Sequence, residues 1–447
     1  MIGTLRTFAA LSAAAFAVNA CTPGARVAPI PLAPAGMLQS LAATGSGKIE
    51  HVVYIVQENR SFDDLFQGYP GADTVSSGEN SKGKTIALRP VSLANAYDID
   101  HSAQSMFAAC DGRGSLPGTK CRMDGFNLEP YYGGPPDPQY VYVQHGETKP
   151  YFAMAHEWVL ADRMFASQLD ESFVAHQYII AAQAQSSMNV PNFQWGCAGA
   201  GDDVVAIITQ ERTLGGTQRP CFDYTTLGDE LDKAGLSWRF YTSKYVRFTS
   251  GYWSGYQAVK HIFEGPDWAK DVITPQKKFL TDVGRGKLAS FTWITPLCPD
   301  SDHPACGGGY GPSWVTAVVN AVGESKFWKT TAIFVQWDDW GGLYDHVPPP
   351  FQNYDSLGFR VPLLVISPYA KRGHVSHVQY ETASVLRFAE DLFGLDRLAD
   401  ADRRAASPAG DCFDFSQPPR AFVPIKAPTG PAFFLQQRND YRAPDTQ

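Results

Sequence analysis

Five short apolar runs constrain the fold of this chain more than any other feature: HVVYIV (51–56), SWRFYT (237–242), LASFTWIT (288–295), TTAIFVQW (330–337) and RVPLLVIS (360–367). They are rich in β-branched and aromatic residues, as strands buried on both faces are. Segments with apolar residues at helical spacing accompany them: YFAMAHEWVLADRMFAS (151–167), VAHQYIIAAQAQSS (174–187), TTLGDELDKAG (225–235), WVTAVVNAVGES (314–325) and YETASVLRFAEDLFG (380–394). The third opens on a Thr cap and closes on Gly235, and the last ends at Gly394. Buried strands alternating with helices predict an α/β domain with a largely parallel central sheet flanked by helices. Residues 67–150 are rich in Gly, Pro and Asp without periodicity, so they read as long loops over that sheet.

The 447 residues are 44% hydrophobic and 18% charged, which suits a large packed core rather than a disordered chain. A net charge of −8 without a long basic run argues against a nucleic-acid partner. The N-terminus, MIGTLRTFAALSAAAFAVNAC, places the lone cation Arg6 before an Ala-rich apolar stretch and small residues. This is the layout of a signal peptide, residues 1–20, and predicts export to the periplasm or medium. VNAC also reads as a lipoprotein box, in which case lipidated Cys21 anchors the chain to a membrane. Residues 21–47 then form a Pro/Ala/Gly-rich tether, residues 48–430 the main domain and residues 431–447 a C-terminal tail. Of eight cysteines, Cys110/Cys121, Cys197/Cys221 and Cys298/Cys306 each bracket a polar or Gly-rich loop, which predicts local disulfide staples. Cys21 and Cys412 are left over, to pair with each other or stay single.

Polar residues gather where the strands end. Glu58 and Asn59 follow the first, Asp302 and His303 the third, and Asp338, Asp339, Asp345 and His346 the fourth. Ligand crevices of open α/β sheets lie beyond the carboxyl ends of the strands, so these groups are placed to converge. Clustered carboxylates repel unless a cation neutralises them or one takes a proton. An oxygen-rich set with an amide suits a hard or borderline divalent ion, of unspecified identity. Taken singly, each group is as readily a turn or a cap; their conjunction carries the metal reading. Ser167, Ser172 or a metal-bound water are the candidate nucleophiles. Ser172 falls at the start of a helix, where the dipole favours an anion, although an N-cap fits the same position.

The ordered series HVVYIVQENRSFDDLF, DIDH (98–101), DRMFASQLDESF (162–173), AVKH (258–261), FTWITP (291–296), DHP (302–304), WDDWGGLYDHVPPP (337–350) and GFRVPLLVISPYAK (358–371) resembles a known family. It is similar to the bacterial phosphoesterases that include non-haemolytic phospholipases C and acid phosphatases, in the alkaline-phosphatase-like superfamily. The resemblance implies that Glu58, Asn59, Asp338 and Asp339 bind a metal, that Ser172 is the nucleophile and also touches it, and that His101, His261 and His303 surround the phosphate. His303 is then the candidate for proton transfer, and His346 is structural. Two departures concern substrate: LDESFVAHQ (169–177) replaces the Gly-Pro-Thr…Pro-Asn-Arg pattern of phospholipase-type members, and Asp339 stands where Glu is frequent. The implied activity is phosphoric ester hydrolysis through a phosphoserine. An acid-phosphatase-type phosphomonoesterase is expected first and a phospholipase C acting on phosphatidylcholine-type lipids second. A non-catalytic surface lipoprotein that binds ligands is the alternative of another class. For Arg60, a salt bridge to Glu58 or Asp63 is expected.

Overall fold

The β-branched run after His51 forms a strand because both of its edges and both of its faces find partners. The computed structural model describes residues 44–192, 194–244 and 254–441. The expected signal peptide, Cys21 and most of the expected tether lie outside the described residues. Eight strands make the main sheet: β1 (His51–Gln57), β2 (Val159–Ala161), β3 (Trp238–Tyr241), β4 (Val272–Ile273), β5 (Phe291–Ile294), β6 (Thr331–Trp337), β7 (Leu363–Ile366) and β8 (His374–Ser376). Their order is β4-β3-β5-β1-β6-β7-β2-β8. Strands β4 to β6 are mutually parallel through β3, β5 and β1. Val52 to Val56 are fully buried at the centre, which is why this stretch tolerates no polar alternation.

The helices used below are α1 (Phe62–Phe66), α2 (Ala103–Cys110), α3 (His145–Glu157), α4 (Ser172–Ala181), α5 (Leu227–Lys233), α6 (Lys260–Phe263), α7 (Gly311–Gly323), α8 (Ala383–Phe393) and α9 (Pro431–Gln436). Helix α5 starts with the expected Thr226 cap, reciprocated by Asp229. Helix α8 ends at Gly394 with φ +70°, a left-handed C-cap.

One expectation needs correction. The helical pattern of 151–167 is only half helix: α3 stops at Glu157, and Val159–Ala161 pairs with β7 on one side and β8 on the other. Hydrogen bonding to two strands outweighs the local periodicity there. The sheet is largely parallel, as expected, with β7 running antiparallel to β6 and β2. Within the expected C-terminal tail, Phe434 of α9 is fully buried against Trp314.

The long segment before α3 is built from short strand pairs and α2 and is stapled by Cys110–Cys121. Cys197–Cys221 and Cys298–Cys306 close the other two expected loops. Cys412 is a free thiol, fully buried, and burial pushes it up to about 12. In this fold it is sealed from any partner outside the core. Among the described residues no helix is long and apolar enough to cross a membrane.

Candidate active site

Parallel pairing of β1 with β6 puts Gln57 opposite Trp337, so the next residues of both strands emerge side by side. The Asp338 N–H donates to the Gln57 carbonyl at 3.0 Å and the Arg60 N–H to the Asp339 carbonyl at 3.1 Å. Asp338 Oδ1 accepts the backbone N–H groups of Asn59 (2.9 Å) and Asp339 (2.8 Å), and Asp339 Oδ1 accepts that of Gly341 (2.8 Å). One oxygen of each aspartate is thereby fixed by backbone. Asn59 adopts φ +58° and Gly341 φ +61°; a Cβ on Gly341 would lie 2.3 Å from the Asn59 carbonyl oxygen. The turn after β6 therefore requires glycine where it passes β1.

Ser172 is the first residue of α4, with Glu171 as its N-cap residue. Its hydroxyl stands 3.4 Å from Glu58 Oε2, 3.4 Å from Asn59 Oδ1 and 3.3 Å from Asp339 Oδ2. All four residues are fully buried. Ser167, the other candidate serine, lies elsewhere. Ser167 Oγ donates to Glu381 (2.8 Å) and accepts the Ala383 N–H, tying α8 to the sheet.

The acids repel one another in this dry site. Burial first, and then Asp338, hold Glu58 well above the ordinary carboxylate range. Burial would also raise Asp338, but His176 and the Asn59 N–H outweigh it and bring Asp338 down to about 2. Asp338 Oδ2 is buried with no hydrogen-bond partner. Three carboxylates, one of them with an unpartnered oxygen, and an amide oxygen in one buried cluster fit a divalent cation. Glu58, His176 and Asp338 offer ligand atoms within 4.8 Å of one another.

His176 was not legible as a site residue from its apolar helix, yet it follows Ser172 by four and so shares its face. Its Nε2 lies 3.1 Å from Glu58 Oε1 and 3.6 Å from Asp338 Oδ2. His101 is also brought in. Its Nδ1–H donates to the Ile99 carbonyl (2.8 Å) and its Nε2 accepts from Asn59 Nδ2 (2.8 Å). The second contact leaves the Asn59 amide oxygen facing Ser172. The His303 ring centroid is 6.5 Å from that of His101, and its charge tends to lower Glu58, which places it beside the cluster.

His261 is not brought in. It lies on α6, is 38% exposed, and bonds Asp223 (2.7 Å) and Asp229 (3.0 Å), the latter on α5. Both ring nitrogens are taken by these surface carboxylates. His346 bonds Asp63 (2.6 Å) and Asp73 (3.1 Å) in a network closed by the Arg360–Asp345 pair, in keeping with a structural role. The Arg360 guanidinium already neutralises that acidic group. Lys270 and Arg239 do the same for Asp271 beside Asp232 and Asp267.

Arg60 corrects the expected pairing. Its cation meets Asp64 at 3.2 Å, not Glu58, and it also donates to the Asp302 carbonyl (2.7 Å), the Leu93 carbonyl (3.0 Å) and Asn95 (3.2 Å). The Asp302 side chain is held in turn by Tyr151 (2.6 Å) and Trp337 (3.1 Å). Arg60 therefore joins the end of β1 to the loop that carries His303. Arg60→Met strands Asp64, which burial already holds at about 6, and is expected to lower stability by about 3–5 kcal/mol in urea unfolding. A loss under about 1 kcal/mol would show that the clamp is dispensable.

The chain matches the Phosphoesterase family over residues 49–396 and belongs to that family. Among curated proteins it is 24% identical to a hemolytic phospholipase C of Pseudomonas aeruginosa, over 82% of this chain and 56% of that protein. It is 25% identical to phospholipase C B of Mycobacterium tuberculosis, over 84% of this chain and 80% of that one. It is also 25% identical to non-specific phospholipase C1 of Arabidopsis thaliana, over 78% and 68%. The chain thus spans little more than half of the Pseudomonas relative. Similar solved structures include the PsFucS1 sulfatase from Pseudoalteromonas sp. (TM-score 0.42, 11% identity, 86% of this chain and 78% of that one). Another is a protein of the alkaline phosphatase superfamily from Vibrio parahaemolyticus (TM-score 0.36, 10% identity, 84% and 71%).

Proposed function

We propose that this protein is a metal-dependent phosphoric ester hydrolase that works through a phosphoserine at Ser172. The observation that carries the reading is the buried Ser172 hydroxyl, 3.3–3.4 Å from oxygens of Glu58, Asn59 and Asp339 at a helix start. Family membership agrees with it. Glu58, Asn59, Asp338, Asp339 and Ser172 would hold the cation. When bound, that ion supplies Lewis acidity and lowers the pKa of the serine hydroxyl.

Ser172 Oγ attacks phosphorus in line, its proton leaving to solvent through the acidic cluster, and the ester oxygen departs opposite. His303 gives that oxygen a proton through Nε2, its Nδ1 being bonded to the Pro304 carbonyl; positioned proton transfer contributes roughly 10²–10⁴-fold. Water then attacks the phosphoserine with His303 as base, which releases phosphate and restores the hydroxyl. His101 acts on Asn59, holding its amide oxygen toward the serine, rather than on the phosphate itself. The helix α4 N-terminus favours the anion throughout.

For the substrate, the replacement of the phospholipase-type nucleophile segment by LDESFVAHQ favours a phosphomonoester. The phospholipase C relatives favour a phospholipid as the second reading. A panel comparing a soluble chromogenic phosphomonoester with phosphatidylcholine vesicles separates them. The proposal expects kcat/KM at least about tenfold higher for the monoester, the ratio that about 1.4 kcal/mol of differential transition-state binding gives; the reverse order assigns a phospholipase C. Three disulfides accord with export.

A further inference from the structure

We infer that His176 is a nitrogen ligand of the metal centre. The inference rests on the metal-dependent reading and adds a donor that an oxygen-only shell lacks. Helix α4 presents Ser172 and His176 one turn apart on the same face, so one rigid element delivers both the hydroxyl and the imidazole.

The distances suit coordination. Donors held about 2.0–2.2 Å from a zinc-sized ion in tetrahedral array stand roughly 3.3–3.6 Å from one another. His176 Nε2 is 3.1 Å from Glu58 Oε1 and 3.6 Å from Asp338 Oδ2, and all three residues are fully buried. A plain hydrogen bond explains less. One Nε2–H serves Glu58 but leaves Asp338 Oδ2 orphaned, as found. An unpaired buried anionic oxygen is costly, whereas a cation seated among Nε2, Oε1 and Oδ2 satisfies all three at once. Glu58 is then shared, with Oε2 facing Ser172 and Oε1 facing His176.

The chemistry of the donor set changes accordingly. Carboxylates and an amide alone suit magnesium, calcium or manganese, while an added imidazole moves preference toward zinc, cobalt or iron. His176→Gln should therefore weaken zinc binding by about 10²-fold and weaken calcium binding far less.

The test is X-ray absorption at the zinc edge of the zinc-loaded full chain, with metal affinity measured by titration for wild type and His176→Gln. Circular dichroism and unfolding midpoints in chelator establish that the variant is folded. The wild-type spectrum needs no variant and stands as evidence if His176→Gln does not fold. Imidazole scattering in wild type, absent in the variant, together with the selective loss of zinc affinity, is the expected result. A zinc-loaded wild type with an oxygen-only shell would overturn the inference while leaving metal-dependent hydrolysis intact. So would zinc affinity unchanged in His176→Gln; His176 would then be a hydrogen-bond donor to Glu58. Failure of wild type to bind any of these ions would overturn the inference and the metal-dependent reading together.

Discussion

Ser172→Ala is expected to lower turnover of a phosphomonoester by about 10⁴-fold or more, the scale seen when a covalent nucleophile is removed. The hydroxyl lies within 3.4 Å of three buried oxygens and has no solvent contact. A water replacing it must be placed by the same groups without the covalent step that divides the barrier. The loss should be in kcat. Folding should survive, because alanine is a strong helix former at this first position of α4. Steady-state kinetics and an unfolding curve test this directly; near-wild-type kcat in a folded variant would remove Ser172 from the mechanism.

Asp338→Asn should abolish measurable metal stabilisation and with it activity, while the metal-free protein keeps or gains stability. The asparagine Oδ1 can still accept from the Asn59 and Asp339 N–H groups, so the turn is preserved. What is lost is the negative charge on the orphaned oxygen. That charge is among those that hold Glu58 above the ordinary carboxylate range, after burial itself. Mass action makes the stabilisation by a ligand at 100 times its dissociation constant about 2.7 kcal/mol, and a variant that binds about 10³-fold more weakly shows almost none. Thermal melts with and without divalent ion read the difference.

The wild-type pH dependence follows from Glu58. Its folded pKa is raised, so the metal-free cluster carries a proton there across the window between the ordinary carboxylate value and the raised one. As pH rises through that window the unfolded chain releases its proton first, and metal-free stability falls. Metal expels the same proton, so affinity climbs with pH and weakens on acidification. Asp338, held at about 2, stays ionised throughout that window.

Much of this site was legible in the sequence because β1 and β6 end in polar residues that two buried, parallel strands must bring together. Glu58, Asn59, Asp338 and Asp339 follow from that rule, whereas the pattern left Ser172 open against Ser167 or a water, and only the family resemblance singled it out. His176 escaped because a histidine inside VAHQYII looks like a core residue; only its i,i+4 spacing from Ser172 pointed to the site. His261 was carried by resemblance alone, and its surroundings decide otherwise, since Asp223 and Asp229 hold it at the surface. Arg60 shows a different limit. Its partner Asp64 is one helical turn away, but its contacts to Leu93, Asn95 and Asp302 come from distant segments that no local pattern specifies. The lost half of the 151–167 helix has the same cause, because β7 and β8 claim Val159–Ala161 only once the chain has folded.

The stereochemical course at phosphorus tests the central claim most directly. A phosphomonoester made chiral with oxygen isotopes is turned over by the metal-loaded wild type in the presence of an acceptor alcohol, and the configuration of the product ester is read. Two successive in-line displacements, onto Ser172 and off it, predict net retention. Net inversion would mean a single direct transfer and would contradict the phosphoserine account.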